Sequence, residues 1–515
     1  MKAKLSIKLA VTGLISACLA APVYALQDQT IFEVGAAQAK QTSKDFKPAP
    51  ARLKTNFGTL EFTGGGYPTK ETTQKVYDEL DLQRATQAYM DFYPALSQYG
   101  LILGQVRDYG VRSSSDIMVY ADKMNSAPLW LTGNTDSIYA LLALDLKKDG
   151  PTVIEIPPGV MGPIDDAYFK FVVDFGVTGP DKGKGGKYLV LPPGYKGEIP
   201  DGYFVVKAPT YRLWPMMRAN AELVGTGDKA LDFYRQHIKV YPLATGPREG
   251  HYINASGMAG NSLVPEDATA FDWLNEIVQY EPAELFSKEQ LGRLASLGIE
   301  KGKPFKPDVR MQRILDQGAK QGVAMARTIA YTSRDPGARI YPDRQWETPF
   351  IGGSSEFEKN GYRNIDARTL FHYMAIVITP AMSAKMPEGV GSQYAATYRD
   401  ADENYLDGSK TYKLRVPPKV PVKAFWSLVA YDPATRSQLQ TGQPYPTVGS
   451  QRDPVMNADD SVDVYLSAKK PKDVSEKNWI QTDPGKGFFV YYRFYGPLKA
   501  YTDKTWKPDD VVLIK

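Results

Sequence analysis

The sequence predicts an α+β fold, with two β-sandwich or jelly-roll-like domains and an intervening helical segment. Three observations predict it. Short runs rich in β-branched and aromatic residues, each bounded by Pro, Gly or Asp, recur over 151–206 and again from 424 onward. Between them, from about 264 to 378, apolar residues return at helical spacing. The composition agrees: 12% of residues are aromatic, including 33 Tyr, and 38 Pro and 44 Gly punctuate the strands.

Residues 1–25 have the three parts of a secretory signal peptide. Lys2, Lys4 and Lys8 form a positive start, 9–21 is an apolar run, and Pro22 precedes small residues at Val23 and Ala25. The run is shorter than the roughly 20 residues a bilayer requires, and no later stretch approaches a transmembrane span. The expected location is therefore periplasmic or secreted. Ile15-Ser16-Ala17-Cys18 resembles a lipobox, so a lipoprotein anchored at Cys18 is the alternative. Apolar residues continue to Ala25, where a lipoprotein turns polar, which favours cleavage after Ala25.

Residues 26–118 read as an N-terminal extension with a helix over about 71–99, where Val76, Leu80, Tyr89 and Phe92 share a face and Pro94 bends or ends the first part. Residues 119–260 read as the first β-rich domain, with strands near 151–156, 168–175, 188–191 and 203–206. The Lys/Gly segment 181–187 lacks the Gly-Lys-Ser/Thr ending of a phosphate-binding loop and reads as a hairpin turn. Residues 261–390 form the helical connection. Phe271, Leu274 and Val278 line one helix, and Ser287-Lys288-Glu289-Gln290 is a capping box opening a second. In that second helix Leu291, Leu294 and Leu297 pack one face, and Gly298 ends it. A third helix is predicted over 308–329 and a fourth over 367–378, separated by a polar, Pro- and Gly-rich connection or lid at 333–361. Residues 391–515 return to strands. Val462, Val464 and Leu466 alternate with Asp463, Tyr465 and Ser467, as in a strand with one buried face. The runs 424–431 and 488–495 are apolar on both faces, as central strands are.

Cleavage after Ala25 leaves 490 residues and lowers the formal net charge from +4 to +1, because only Lys2, Lys4 and Lys8 are lost. Without a concentrated basic patch, nucleic acid is not an expected partner. Cys18 is the sole cysteine, so a chain cut after Ala25 has no disulfide, thiolate nucleophile or cysteine-bound metal. His237, His251 and His372 are too few and too scattered for a zinc site. No cofactor and no metal are expected. Calcium, which needs only oxygens, stays open at Asn457-Ala458-Asp459-Asp460, although a hairpin turn explains that run better.

Two blocks carry a family resemblance. The first joins Gly133-Asn134-Thr135-Asp136-Ser137-Ile138-Tyr139, Leu144-Asp145-Leu146 and Val153-Ile154-Glu155-Ile156-Pro157-Pro158 to Val173-Asp174-Phe175 and Pro209-Thr210-Tyr211-Arg212-Leu213-Trp214. The second joins Phe425-Trp426-Ser427-Leu428, Tyr431-Asp432 and Asn478-Trp479-Ile480 to Tyr492-Arg493-Phe494-Tyr495-Gly496-Pro497 and Lys504-Thr505-Trp506-Lys507-Pro508. The chain thus resembles the exported bacterial family that pairs a domain of unknown function (DUF) 1254 with a DUF1214. The resemblance implies two β-rich domains, the second jelly-roll-like, helices between them, and association into homo-oligomers. It brings no reaction and no catalytic residues.

Candidate chemistry follows from the residues themselves. There is no Gly-x-Ser-x-Gly elbow, and Ser467-Ala468-Lys469-Lys470 lacks the Lys-Thr-Gly partner of a Ser-Lys site. Carboxylate chemistry stays open. Asp136, Asp145, Glu155 and Asp174 sit in or beside apolar strands, where an acid is paired or does chemical work. Arg212 and Arg218 flank Trp214 and suit either those acids or an anionic ligand. The catalytic candidates are Asp136, Asp174 and Arg212. The ligand-binding candidates are Asn134, Tyr139, Tyr211, Trp214 and Arg218, with tyrosine and tryptophan faces for a flat ring. Trp426, Trp479, Arg493 and Tyr495 form a similar set in the second domain, read as sandwich core and domain contact. The expected role is a binding or cell-envelope accessory protein for a small polar molecule or glycan, carbohydrate or carboxylate. The alternatives are a cofactor-free hydrolase or lyase working through carboxylate, Tyr and Arg, and a structural homo-oligomer.

Overall fold

The computed structural model describes residues 50–514. The signal peptide, the lipobox at Cys18 and the start of the N-terminal extension lie outside the described residues. The described chain is a mixed α+β fold, and none of its sheets closes into a barrel.

Residues up to Val76 form a unit of their own. There Arg52–Thr55, Gly58–Thr63 and Tyr67–Pro68 make an antiparallel three-stranded sheet. Thr69 ends it: its hydroxyl accepts the Thr72 backbone N–H at 3.1 Å, a cap for the helix Lys70–Tyr109. That helix runs through Pro94 instead of ending there. Of the two expectations, a bend or an end at Pro94, the end does not occur, because the helix is held by packing: Tyr89, Phe92, Tyr93 and Leu96 are all fully buried, which outweighs one missing hydrogen bond.

From Tyr77 onward the chain forms a second unit. Its first β region has two sheets. The larger orders His251–Asn254, Asp116–Tyr120, Ile138–Leu141, Arg212–Ala219, Gly162–Asp166 and Phe171–Phe175, with Leu144–Asp145 also paired to the long Arg212–Ala219 strand. The smaller orders Phe204–Lys207, Gly186–Leu191, Thr152–Ile156 and Lys239–Pro242. Alternate residues divide between two cores, as period-2 geometry requires. Ile117, Val119, Ile138 and Met217 face the smaller sheet's Ile154, Tyr188 and Val240, whereas Met118, Tyr120, Tyr139 and Met216 face the helical layer.

The 181–187 segment is not a hairpin turn. Phe171–Phe175 pairs with Gly162–Asp166 in the larger sheet, while Gly186–Leu191 belongs to the smaller one. The segment therefore crosses between sheets. Buried Asp181 organises it, accepting from Gly176 N (2.7 Å), Gly185 N (3.0 Å) and the Tyr188 hydroxyl (2.5 Å).

Helices follow at Thr269–Tyr280, Lys288–Ser296, Val309–Tyr331 and Ile365–Met374. The Ser287/Gln290 capping box forms in both directions, at 3.1 and 2.9 Å. Gly318 and Gly322 let the Val309–Tyr331 helix approach Lys70–Tyr109. A Cβ at either would come within 2.6 Å of Ala85 Cβ or 2.5 Å of Tyr89 Cδ1.

The second β region also has two sheets. One orders Ser392–Thr397, Phe489–Tyr495, Trp426–Tyr431 and Thr447–Gly449; the other orders Trp479–Gln481, Val462–Ser467, Thr411–Val416 and Val512–Ile514. Both central strands of the first sheet are buried on two faces. Leu428, Val490 and Tyr492 meet the second sheet, while Val429, Tyr431, Phe489 and Tyr491 join the helical layer. The helical layer thus packs against a sheet from each β region.

Candidate functional site

Both β regions and the connection between them enclose a cavity of about 510 Å³. That lies within the usual range for small-molecule sites, roughly 300–1,000 Å³.

The first β region contributes Asn134, Tyr139, Asp174 and Arg218. The loop before the Ile138–Leu141 strand is built to present Asn134. Thr132 adopts a positive φ of 41°, an uncommon conformation for a β-branched residue. It is held on every side: its N–H donates to Arg436 O (2.7 Å), its hydroxyl donates to Met374 O (2.7 Å), and its carbonyl accepts from Arg493 Nη2 (2.5 Å). Two residues on, Asn134 Oδ1 accepts from Asp136 N (2.8 Å), which fixes the amide's orientation. Its Nδ2 then donates to the hydroxyls of Tyr139 (3.0 Å) and Tyr495 (2.6 Å), one from each β region. Because both phenol oxygens accept, their own hydrogens are left to donate elsewhere. Burial raises both phenol pKa values, so the rings stay neutral donors.

Arg218, near the end of the Arg212–Ala219 strand, faces the cavity with its guanidinium 5.4 Å from the Tyr495 ring. Among the described residues it makes no side-chain hydrogen bond and no ion pair. The second β region contributes Tyr394, Tyr495 and Arg493. Arg493 is buried, 4% exposed, with no carboxylate within ion-pair distance among the described residues. Its Nη2 reaches Thr132 O and the Tyr431 hydroxyl (2.8 Å), its Nε has no partner, and its guanidinium lies 4.5 Å from the Tyr394 ring. Two guanidiniums without an ion-paired carboxylate beside a cavity are costly alone and suited to an anion.

The connecting segment supplies Phe350, Phe371, Val377, Thr379 and Met382. Two acids of the first β region anchor it: Asp165 accepts from Ile378 N at 2.9 Å, and Asp174 accepts the Thr379 hydroxyl at 2.9 Å. Burial pushes the Asp174 carboxyl above the ordinary range, against the pull of the Thr178 and Thr379 hydroxyls and Arg218. Asp165, deeper, is pushed up further by the same cause.

The structure brings together Asn134, Tyr139, Asp174 and Arg218 of the sequence candidates, and places the others elsewhere. Asp136 does not line the cavity. One of its oxygens lies 3.9 Å from Arg452 Nε and the other has no partner. Arg212 and Arg218 share one face of one strand, but six residues at about 3.3 Å each put them some 20 Å apart. Arg212 instead lies 3.8 Å from the Tyr280 ring. Its backbone and that of Tyr211 donate to Glu281, at 3.3 and 2.7 Å. Trp214 is fully buried and stacks on Trp130 at 6.1 Å. Asp136 and Arg212 share no hydrogen bond or ion pair, and neither lines the cavity. The residues that sequence reasoning did not place at a site are Arg493 and Tyr495, read as core and contact, and Phe350, Phe371, Thr379 and Tyr394. The lone signal for them was an arginine inside an otherwise apolar central strand, Phe489–Tyr495.

The fold and this cavity define an α+β protein whose two β regions line one ligand-sized cavity. Residues 116–242 match a family model described as "Protein of unknown function (DUF1254)", and residues 391–499 match "Protein of unknown function (DUF1214)". Both matches are present in this one chain, the DUF1254 match preceding the DUF1214 match. Among solved structures it is similar to the VPA0106 protein from Vibrio parahaemolyticus, at 18% identity and a TM-score of 0.50, over 84% of this chain and 100% of that one. A putative uncharacterized protein from Burkholderia cenocepacia aligns at 12% identity and a TM-score of 0.38, over 86% of this chain and 97% of that one. The first likeness supports the fold alone. No curated protein matches the chain.

Proposed function

We propose that this is an exported small-molecule binding protein whose ligand sits in the cavity between the two β domains. One observation carries the reading: Arg218 and Arg493 both face the cavity, and neither has a carboxylate partner among the described residues. A ligand with acceptor oxygens would satisfy them, with Tyr139 and Tyr495 as added donors. The leader-like residues 1–25 support export. Each β domain is further read as a sandwich, the second jelly-roll-like, on the strength of the apolar core shared by its two sheets.

The test compares purified wild type with Val377→Trp, which fills the cavity without touching either arginine's hydrogen bonds. Small molecules released on denaturation are identified by mass spectrometry, and a compound library is screened by thermal shift. The expected result is a set of compounds bound by wild type and lost in the folded variant. Equal binding by both, or by neither, refutes the reading.

One observation favours a second reading, a cofactor-free lyase or hydrolase. Asp174 lines the same cavity with its carboxyl held above the ordinary range, the condition for a general acid. Turnover of a bound compound, abolished by Asp174→Asn with binding intact, would select it.

A further inference from the structure

Resting on the binding reading above, we infer that the ligand is a monocarboxylate with an apolar body: its carboxylate lies between Arg218 and Arg493, and its body runs along Phe350 and Phe371. The wall is not the polar, hydroxyl-matching surface a sugar requires. Its surface is mostly apolar, from Met161 beside Arg218 and from Val177, Phe371, Val377 and Met382, with hydroxyls at Thr178, Thr379 and Ser392. An aromatic series leads from this apolar end to the charge. Phe371 and Phe350 have ring centroids 5.7 Å apart, Phe350 and Tyr394 5.4 Å, and the Arg493 guanidinium lies 4.5 Å from Tyr394. On the other side Phe425 stacks on Tyr495 at 4.1 Å, and Arg218 lies 5.4 Å from that same ring. One charged end and a long apolar flank describe an amphiphile.

Charge decides the head group. Lys423 also lines the cavity but is exposed to solvent, which screens its charge; the two guanidiniums and the Asp174 carboxylate that remain leave a single net positive charge, which one carboxylate neutralises. A phosphate dianion would overfill it and face Asp174. Geometry agrees: a planar carboxylate accepts from guanidinium forks, and the Tyr139 and Tyr495 hydroxyls, already accepting from Asn134, have their hydrogens free to add.

The test is calorimetric titration of the intact protein at neutral pH, below micelle-forming concentrations. The probes are decanoate, decanamide, decyl phosphate, 2-naphthoate and maltose, with the neutral dye N-phenyl-1-naphthylamine as reporter of cavity occupancy. Decanoate or 2-naphthoate should bind one to one, and the stronger of the two tells whether the body is a chain or a ring. Decanamide should bind at least about tenfold more weakly. Arg218→Met should remove that preference while leaving decanamide within about threefold. Arg493→Met should do the same if it folds, and Arg218→Met alone suffices if it does not. Equal binding of decanamide and decanoate, tighter binding of decyl phosphate, binding of maltose instead, or indifference to Arg218→Met each overturns the carboxylate assignment. In those cases dye or maltose binding that Val377→Trp abolishes leaves the binding reading standing. If no probe and no dye enters, both fail.

Discussion

Arg218→Met should make the ligand-free protein more stable while removing its grip on a carboxylate. The Arg218 side chain makes no hydrogen bond and no ion pair among the described residues, so methionine breaks none. The loss is the contact with Tyr495 at 5.4 Å, about 0.5–1 kcal/mol for a cation that still faces open cavity space. The gain is relief of a half-buried charge. A fully buried unpaired ion costs several kcal/mol; half exposure to the cavity reduces this to about 2–3 kcal/mol. Arg493, whose positive charge acts on Arg218, adds repulsion that the variant removes. The net expectation is a stabilisation of about 1–2 kcal/mol. Unfolding entropy scales with length, so a unit spanning Tyr77–Lys515 loses roughly 0.9 kcal/mol per degree near its midpoint. The variant should therefore melt about 1–2 °C higher, measured by calorimetry after any retained ligand has been removed. A melting point lower by 2 °C or more would mean that the guanidinium is a satisfied structural group, and the anion argument would fall with it.

Three other outcomes follow from the same physical terms. Burial pushes the Glu281 carboxyl up to about 7, against hydrogen bonds from Tyr211 and Arg212 and the Arg212 charge. A carboxyl raised in the folded state costs stability as pH climbs from its unfolded value near 4.5 through 7, here about 3 kcal/mol. Glu281→Gln should thus gain on wild type by about 3 °C in melting point between pH 5 and pH 8; a pH-independent difference between the two refutes this. Asn134→Ala removes the donors to Tyr139 and Tyr495 and the acceptor for Asp136 N. It should destabilise by about 2–3 kcal/mol and weaken decanoate binding, checked by melting and titration together. Gly162→Ala places a Cβ 2.0 Å from Met216 O at a φ of +145°. It should cost about 3 kcal/mol or more, or fail to fold, which soluble yield and melting report.

What the sequence revealed depended on whether the signal was local. The capping box at Ser287 and Gln290 lies within one turn and forms as expected. The alternation of Val462, Val464 and Leu466 needs only period-2 geometry, and that strand is buried on one face. The 181–187 segment looked like a hairpin because Gly and Lys between strands suit a tight turn, but which sheet a strand joins is decided by distant partners. The candidates divided the same way. Asp136 and Arg212 drew attention as charges among apolar residues. Their neighbours, Arg452 for one and Tyr280 and Glu281 for the other, are far off in sequence. Arg493 looked structural for a sound reason, since it sits mid-strand between Tyr492 and Phe494, both fully buried. Nothing local distinguishes an arginine that binds a neighbouring domain from one that also faces a cavity.

Arg493 does both, and its donors allow it. A guanidinium carries five N–H groups. Nη2 supplies the bonds to Thr132 O and Tyr431, and Tyr431 in turn donates to Gly133 O at 2.8 Å, so this one nitrogen ties the 132–134 loop to the second β domain. Nε and Nη1 make no hydrogen bond among the described residues. A carboxylate can therefore accept from Nη1 without loosening the clamp that holds Asn134 in place. Arg218 belongs to the first β region and Arg493 to the second. A carboxylate held by both joins the domains across the cavity, replacing repulsion between like charges with attraction to a shared partner. The binding site and the domain junction are then the same structure, and ligand binding should protect the junction from opening more than it protects either β domain alone.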